Sequence, residues 1–285
     1  MSKFKYVRAE SLQQAVQLIK ENSGYYLIAG GTDLMVKLKE KLIDPVAIVD
    51  IGRLEELGGI TWDNGRITIG AAVTHTQVYE SAVINRYAPA LAKAAGLVGS
   101  PQIRNTGTIG GNIGNASPAA DTVPALIAYG AQVKVATGSG IKEISLSNLF
   151  TGPGRTVLEP GEIIVAITFQ AQQPGQSSSF QKLGKRKALA IAVVNAAVWL
   201  EVEENTRKVT GVRLALGSVA ATVIRATEAE NILLGRVLSH SLIQQAADKV
   251  AETVKPIDDV RSEAVYRQQT AGVLIKRALE EAWAE

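Results

Sequence analysis

The stretch TIGGNIGNASPAAD, residues 108–121, holds three glycines and two asparagines, and most of its other side chains are small. Such a segment gives a core little to pack and gives a ligand a nearly bare backbone. Glycine tolerates positive φ and lets backbone N–H groups come close to an anion. On this reading Gly111 is expected to use left-handed freedom that an L-residue lacks. Asp121 closes the run, either as the N-cap of a helix in TVPALIAYG or as an acceptor for ligand hydroxyls. Asn112 and Asn115 either bond a ligand or hold the loop.

A second pair, Gly30-Gly31, ends the apolar run in YYLIAGGTDL, where Thr32 or Asp33 is placed to cap a following helix. Either pair alone reads equally well as a tight turn. Together they form two bare loops able to clasp a pyrophosphate, with a helix start after Gly31 adding its positive end. The common nucleotide motifs are absent. Residues 107–114 read G-x-x-G-G-x-x-G rather than G-x-G-x-x-G, and Ser179 stands where a P-loop ending at Gly184-Lys185 needs its first glycine.

The 285 residues suffice for one large domain or two. Up to VAIVDI (46–51) the pattern is helix, strand, helix, strand, which favours parallel pairing. RITIGA (66–71), QVKVAT (132–137) and EIIVAITF (162–169) read as further strands, with helices near 76–81 and 89–98. QAQQPGQSSS (170–179) is polar and has a linker's composition. Beyond it, LAIAVVNAAVWLEVE (189–203) and VTGVRLALGSVA (209–220) read as two longer strands of a hairpin, followed by helices ending in one over 260–282. The expected division is residues 1–175, split into 1–55 and 56–175, and a small α+β domain over 176–285.

The formal charge is +3, the largest basic cluster is Lys185-Arg186-Lys187, and aromatics do not interleave with it, so nucleic acid is excluded as a partner. The chain has no cysteine, which excludes disulfides, iron–sulfur ligation and thiolate zinc. Its two histidines, His75 and His240, lie far apart in turn or helix-start contexts, so neither a metal site nor a catalytic residue is assigned. This is the inventory of a chain whose cofactor carries the chemistry. No membrane-length apolar run or secretory leader is visible, and a cytoplasmic protein is expected.

YYLIAGGTDLM, PQIRNTGTIGGNIGNASPAAD, GPGRTVLEPGEIIVAI and FQKLGKRKALAIAVVNAAV occur in an order that resembles the FAD-binding medium subunit of molybdenum hydroxylases. That family includes bacterial xanthine dehydrogenases and aerobic carbon monoxide dehydrogenase, and the resemblance spans essentially the whole chain. It implies an α+β fold: a two-part FAD-binding domain of the vanillyl-alcohol-oxidase (PCMH) type, then a small domain of antiparallel sheet and helices. It also implies a first FAD loop of Tyr26, Leu27, Ile28, Ala29, Gly30, Gly31, Thr32 and Asp33, and a second of Thr108, Ile109, Gly110, Gly111 and Asn112. By the same resemblance Asp121 faces ribityl or ribose hydroxyls, Ile164 lies near the isoalloxazine ring, and Lys182 reaches the cofactor. The family aspartate found in some relatives near Leu189 and Ala190 is missing.

The implied activity is electron transfer from [2Fe–2S] clusters on a small partner subunit to NAD+ or another acceptor. The substrate, such as xanthine or an aldehyde, is hydroxylated at a molybdopterin site on a large partner subunit. The absence of cysteine agrees with clusters carried elsewhere. Two other classes stay open on the residues themselves: a non-redox nucleotide- or phosphate-binding module, and a stand-alone flavin oxidase, for which no substrate base is visible.

Overall fold

Three strands of only four residues each make a parallel sheet: β1 (Lys5–Arg8), β2 (Tyr25–Ile28) and β3 (Ala47–Asp50), in the order β1-β3-β2. Parallel strands need long crossovers, and α1 (Leu12–Glu21) and α2 (Leu34–Lys39) lie within them. Ser11 caps α1, its hydroxyl accepting from the Gln14 amide at 3.2 Å, and the helix turns Ala15 and Val16 into the core. The computed structural model describes residues 4–186 and 189–284. β1 escapes the sequence pattern because KYVR has no run of apolar residues; pairing with the buried β3 makes it a strand.

The second sheet is antiparallel. β4 (Ile60–Asp63), β5 (Arg66–Gly70), β6 (Gln132–Thr137), β7 (Gly140–Ser145) and, after the short ribbon β8 (Phe150–Gly152) and β9 (Arg155–Thr156), β10 (Ile163–Gln170) are ordered β4-β5-β10-β6-β7. β10 is central and buried on both faces, which accounts for its near-continuous apolar sequence. Between β5 and β6 run six short helices: α3 (His75–Glu80), α4 (Ala82–Tyr87), α5 (Pro89–Gly96), α6 (Pro101–Thr106), α7 (Ile109–Gly114) and α8 (Thr122–Ala128). Only two helices are expected here before the glycine-rich run. The chain is instead restarted repeatedly by the caps Thr74, Ser81, Ser100 and Thr108 and by Pro89 and Pro101.

The C-terminal sheet is β11 (Gln176–Gly184), β12 (Ala192–Val202), β13 (Val209–Gly217) and β14 (Ile224–Arg225), all antiparallel and in sequence order. The expected hairpin is β12 with β13. β11 and the end of β10 take up half of the linker expected over 170–179, leaving only residues 171–175 between the two strands. Two of the β11 serines are buried with specific partners: Ser178 Oγ lies 2.6 Å from Tyr129 Oη, and Ser179 Oγ donates to Glu281 at 2.7 Å. A polar strand is stable here because its buried hydroxyls are paired.

α9 (Thr227–Leu233), α10 (His240–Thr253) and α11 (Ala264–Ala284) cover one face of this sheet, and its other face packs on the N-terminal part. α11 begins at residue 264 rather than near 260. Phe180, Ala197, Trp199 and Ala215 join the core of the antiparallel N-terminal sheet. Arg213 lies over the Trp199 ring, 4.1 Å from its centroid, and donates to the Ala128 carbonyl at 2.8 Å, satisfying the end of α8. Lys187, the last residue of the basic cluster, lies outside the described residues, as does Ala188.

Candidate functional site

β2 and β3 both end at one edge of the parallel sheet, and the chain leaves that edge as residues 29–33 and 51–52. Ligands of parallel sheets collect at such carboxyl ends. Against this edge stand α6 and α7 of the second sheet's helical layer, and between them runs a cleft of about 360 Å³. Leu27, Ile51, Leu57, Leu158 and Ile163 give it an apolar part, while residues 29–34 and 107–112 form two facing jaws.

The jaws meet backbone to backbone. A Cβ on Gly30 would lie 1.9 Å from the Thr106 carbonyl oxygen, and one on Gly110 would lie 2.5 Å from the Ala71 Cβ. Neither space admits even a methyl group, so glycine is required at both positions by close approach. Gly31 is required for a different reason, a φ of +71°. Gly111 is not: it lies inside α7 without positive φ, which overturns the expectation of left-handed geometry there. What its missing Cβ spares is the capping hydroxyl of Thr108, which would be 2.8 Å away and which accepts from the Gly111 amide at 3.1 Å.

The two jaws differ in what they leave unspent. In the second, the amides of Ile109 and Gly110 donate to Val73 O and Ala71 O at 2.9 Å, and Gly111 is committed to Thr108. In the first, the amides of Gly30, Gly31, Thr32, Asp33 and Leu34 find no acceptor among the described residues. Asp33 is the N-cap of α2 by position, but its side chain makes no cap bond. It accepts instead from Asn115 Nδ2 at 3.0 Å, and Asn115 Oδ1 accepts from Lys37 Nζ at 2.8 Å. This chain of bonds ties the mouth of one jaw to the other, so Asn115 holds the loop while also lining the cleft.

Charge alone cannot hold an anion here. The lining carries the cation Lys37 against the carboxylates of Asp33 and Glu162. Burial works against the Glu162 charge, but Lys142 and the Glu159 amide hold its carboxyl below the ordinary range, so it is ionised. A polyanion must therefore be held by oriented backbone dipoles, and the open amides of residues 30–34 are of that kind. The closely packed glycines and open amides fit a dinucleotide with a pyrophosphate.

Residues 2–169 match the family described as FAD binding domain in molybdopterin dehydrogenase, and residues 179–282 match the CO dehydrogenase flavoprotein C-terminal domain. The chain belongs to the FAD-binding medium subunits of the molybdenum hydroxylases. It is 34% identical to the carbon monoxide dehydrogenase medium chain of Hydrogenophaga pseudoflava, over 99% of this chain and 98% of that one. It is 33% identical to the xanthine dehydrogenase FAD-binding subunit of Escherichia coli O157:H7, over 97% and 95%. Its fold superposes with a TM-score of 0.95 on the Hydrogenophaga pseudoflava carbon monoxide dehydrogenase solved without its Mo-pyranopterin moiety, at 33% identity and covering 99% and 98% of the chains. It is thus an FAD-binding oxidoreductase subunit with the α+β architecture of that enzyme.

In this medium subunit the cleft gathers Leu27, Ile28, Ala29, Gly30, Gly31, Thr32, Asp33, Thr108, Gly110, Gly111, Asn112 and Ile164. Ile164 is presented beside a β-bulge, where the register of β10 against β6 shifts between Ile164 and Ala166. Tyr26 is outside the lining, and Ile109 is wholly buried in the core. Asp121 and Lys182 also lie outside it and are paired with each other at 2.5 Å. Asp121 accepts from Asn195 Nδ2 at 3.0 Å, Lys182 also donates to Leu97 O at 2.9 Å, and both side chains are buried. Burial pushes the Asp121 carboxyl up, and Lys182 and Asn195 oppose it. Asp121 takes the N-cap position of α8 without a side-chain cap bond. Lys182 lines a separate cavity of about 340 Å³ with Leu97, Arg186 and Leu189.

Three ionisable lining residues were not legible as such: Lys37, His75 and Glu162. Nothing in their sequence context marks them. His240, by contrast, is exposed at the start of α10 beside Glu280. Among the described residues no group of acidic or histidine side chains could hold a metal ion, and no helix is long and apolar enough to cross a membrane.

Proposed function

We propose that FAD lies in this cleft with its pyrophosphate on the first jaw, held by the amides of Gly30, Gly31 and Thr32 and approached closely by residues 108–112. The observation that carries this is the row of unpaired amides over residues 30–34, with Gly30 at backbone contact with Thr106 at the root of the second jaw. Charge-assisted bonds of this type contribute roughly 1.5–3 kcal/mol each. Ile164 is assigned to the wall near the isoalloxazine ring. The buried Asp121–Lys182 pair is assigned to the cofactor's hydroxyls and to the flavin end.

Bound FAD supplies electron exchange between [2Fe–2S] clusters on a small partner subunit and NAD+ or another acceptor, while a large molybdopterin subunit hydroxylates a substrate such as xanthine or an aldehyde. The chain's own part is to bind, orient and exclude water. Its relatives support this reading: they are named as medium chains or FAD-binding subunits of carbon monoxide, glyceraldehyde and xanthine dehydrogenases. The absence of cysteine requires any cluster to be on another chain. The proposed setting is the cytoplasm.

Incubating the purified chain with FAD and reading flavin absorbance after desalting tests the cofactor assignment, and a colourless protein would refute it. Affinity purification from its own cells tests the electron path. A cysteine-rich small chain and a large molybdopterin chain are expected to come down with it, and recovery of the chain alone would count against the complex.

A further inference from the structure

The second jaw has spent its backbone amides, yet one side chain behind it has not been spent. His75 is the first residue of α3, where its own amide donates to the Gly107 carbonyl at 3.0 Å and fixes the ring beneath the jaw. The residue is 2% exposed, its ring lines the cleft, and Nδ1 is sealed from solvent with no hydrogen-bond partner. A buried ring nitrogen without a partner costs stability unless a ligand or the tautomer resolves it.

The tautomer follows from the burial. An N–H at Nδ1 would be a buried donor with no acceptor, so the proton belongs on Nε2. The Cδ2 edge, opposite Nδ1, faces Gly107: a Cβ on that glycine would lie 3.4 Å from His75 Cδ2 and 3.3 Å from Thr32 Oγ1. The Cδ2–Nε2 edge of the ring therefore lies beside Gly107 and Thr32, where the two jaws come together. Burial of the ring, with Arg104 adding to it, keeps it neutral at physiological pH. A neutral donor there adds a hydrogen bond to an anion without forming a charge that the buried pocket would have to accommodate.

We propose that His75 is a cofactor-contacting residue, donating from Nε2–H to the FAD pyrophosphate from the side of the second jaw. This rests on the assignment of the cleft to FAD. The chain has only two histidines, so a histidine-labelled protein gives two ring signals, one from buried His75 and one from exposed His240. On adding FAD, the His75 ring resonances shift and those of His240 do not; riboflavin, which has no phosphate, leaves both unmoved. His75→Phe weakens FAD binding about tenfold, and His75→Gln, whose amide nitrogen reaches near Nε2, recovers much of it. Melting of the cofactor-free variants shows whether either has lost its fold, and the labelled wild-type chain gives the answer independently of them. FAD uptake with unmoved His75 signals overturns the inference and leaves the cleft assignment standing. Failure to take up FAD at all overturns both.

Discussion

The Thr106 carbonyl oxygen occupies the place where Gly30 would carry a side chain, 1.9 Å from an ideal Cβ. Two segments seventy-six positions apart, 106 minus 30, are thereby held at backbone contact, and the cleft mouth keeps its shape only while residue 30 is glycine. Gly30→Ala must push the jaws apart. Overpacking of this kind costs about 1–3 kcal/mol, and FAD retention should fall at least tenfold. Gly152→Ala is the control: nothing lies within 4 Å of its Cβ site, and its φ is not positive. The flavin-to-protein absorbance ratio and the melting temperature of both variants check this.

Gly31 and Gly111 look alike in sequence and should respond differently. Gly31→Ala places an L-residue at φ +71°, at about 1–2 kcal/mol. Gly111→Ala has helical backbone and displaces only the Thr108 cap, worth about 1 kcal/mol, offset in part by alanine's better helix propensity. Denaturant unfolding of the cofactor-free variants should rank Gly31→Ala as the less stable. The reverse order would refute the left-handed role of Gly31.

The Asp121–Lys182 pair, with both side chains 7% exposed, should be intolerant of single changes. Asp121→Asn leaves a buried ammonium uncompensated, and losses of about 3–5 kcal/mol accompany such breaks. Replacing both, as Asp121→Asn with Lys182→Met, should recover most of the stability. If FAD binding stays low in the stable double variant, the pair acts on the cofactor as well as on the fold.

His75 sets an acid limit. Burial, with Arg104 adding to it, lowers its pKa from 6.5 to about 4. The unfolded chain therefore binds a proton between these values that the native chain refuses, so stability falls as pH drops through this window and not above it. The integrated loss is about 3 kcal/mol, from ~1.4 kcal/mol per pKa unit. Melting curves of wild type and His75→Phe should converge in slope above pH 6.5 and diverge below it, with the variant losing less. Parallel curves would mean the ring is protonated in the native state.

Much of this protein is written locally. The apolar run of β10, the hairpin of β12 and β13, the two glycine pairs and the lack of cysteine each declare themselves within a few residues. Periodicity and backbone freedom are properties of neighbours in the chain, so they survive being read without a fold. β1 and β11 do not declare themselves, because one is too short and the other too polar; both are strands by virtue of the strands beside them.

The site divides in the same way. The glycine pairs at 30–31 and 110–111 announce two bare loops along the chain, and resemblance assigns them to a flavin subunit. Packing makes the loops unequal, one with open amides and the other with its amides already bonded. The same packing pairs Asp121 with Lys182, links Lys37 to Asp33 through Asn115, and buries His75 behind the second jaw with Nδ1 unpartnered. The physical reason is that hydrogen-bond satisfaction and burial depend on atoms brought together from distant parts of the chain, and no local pattern records which donors those atoms have left free.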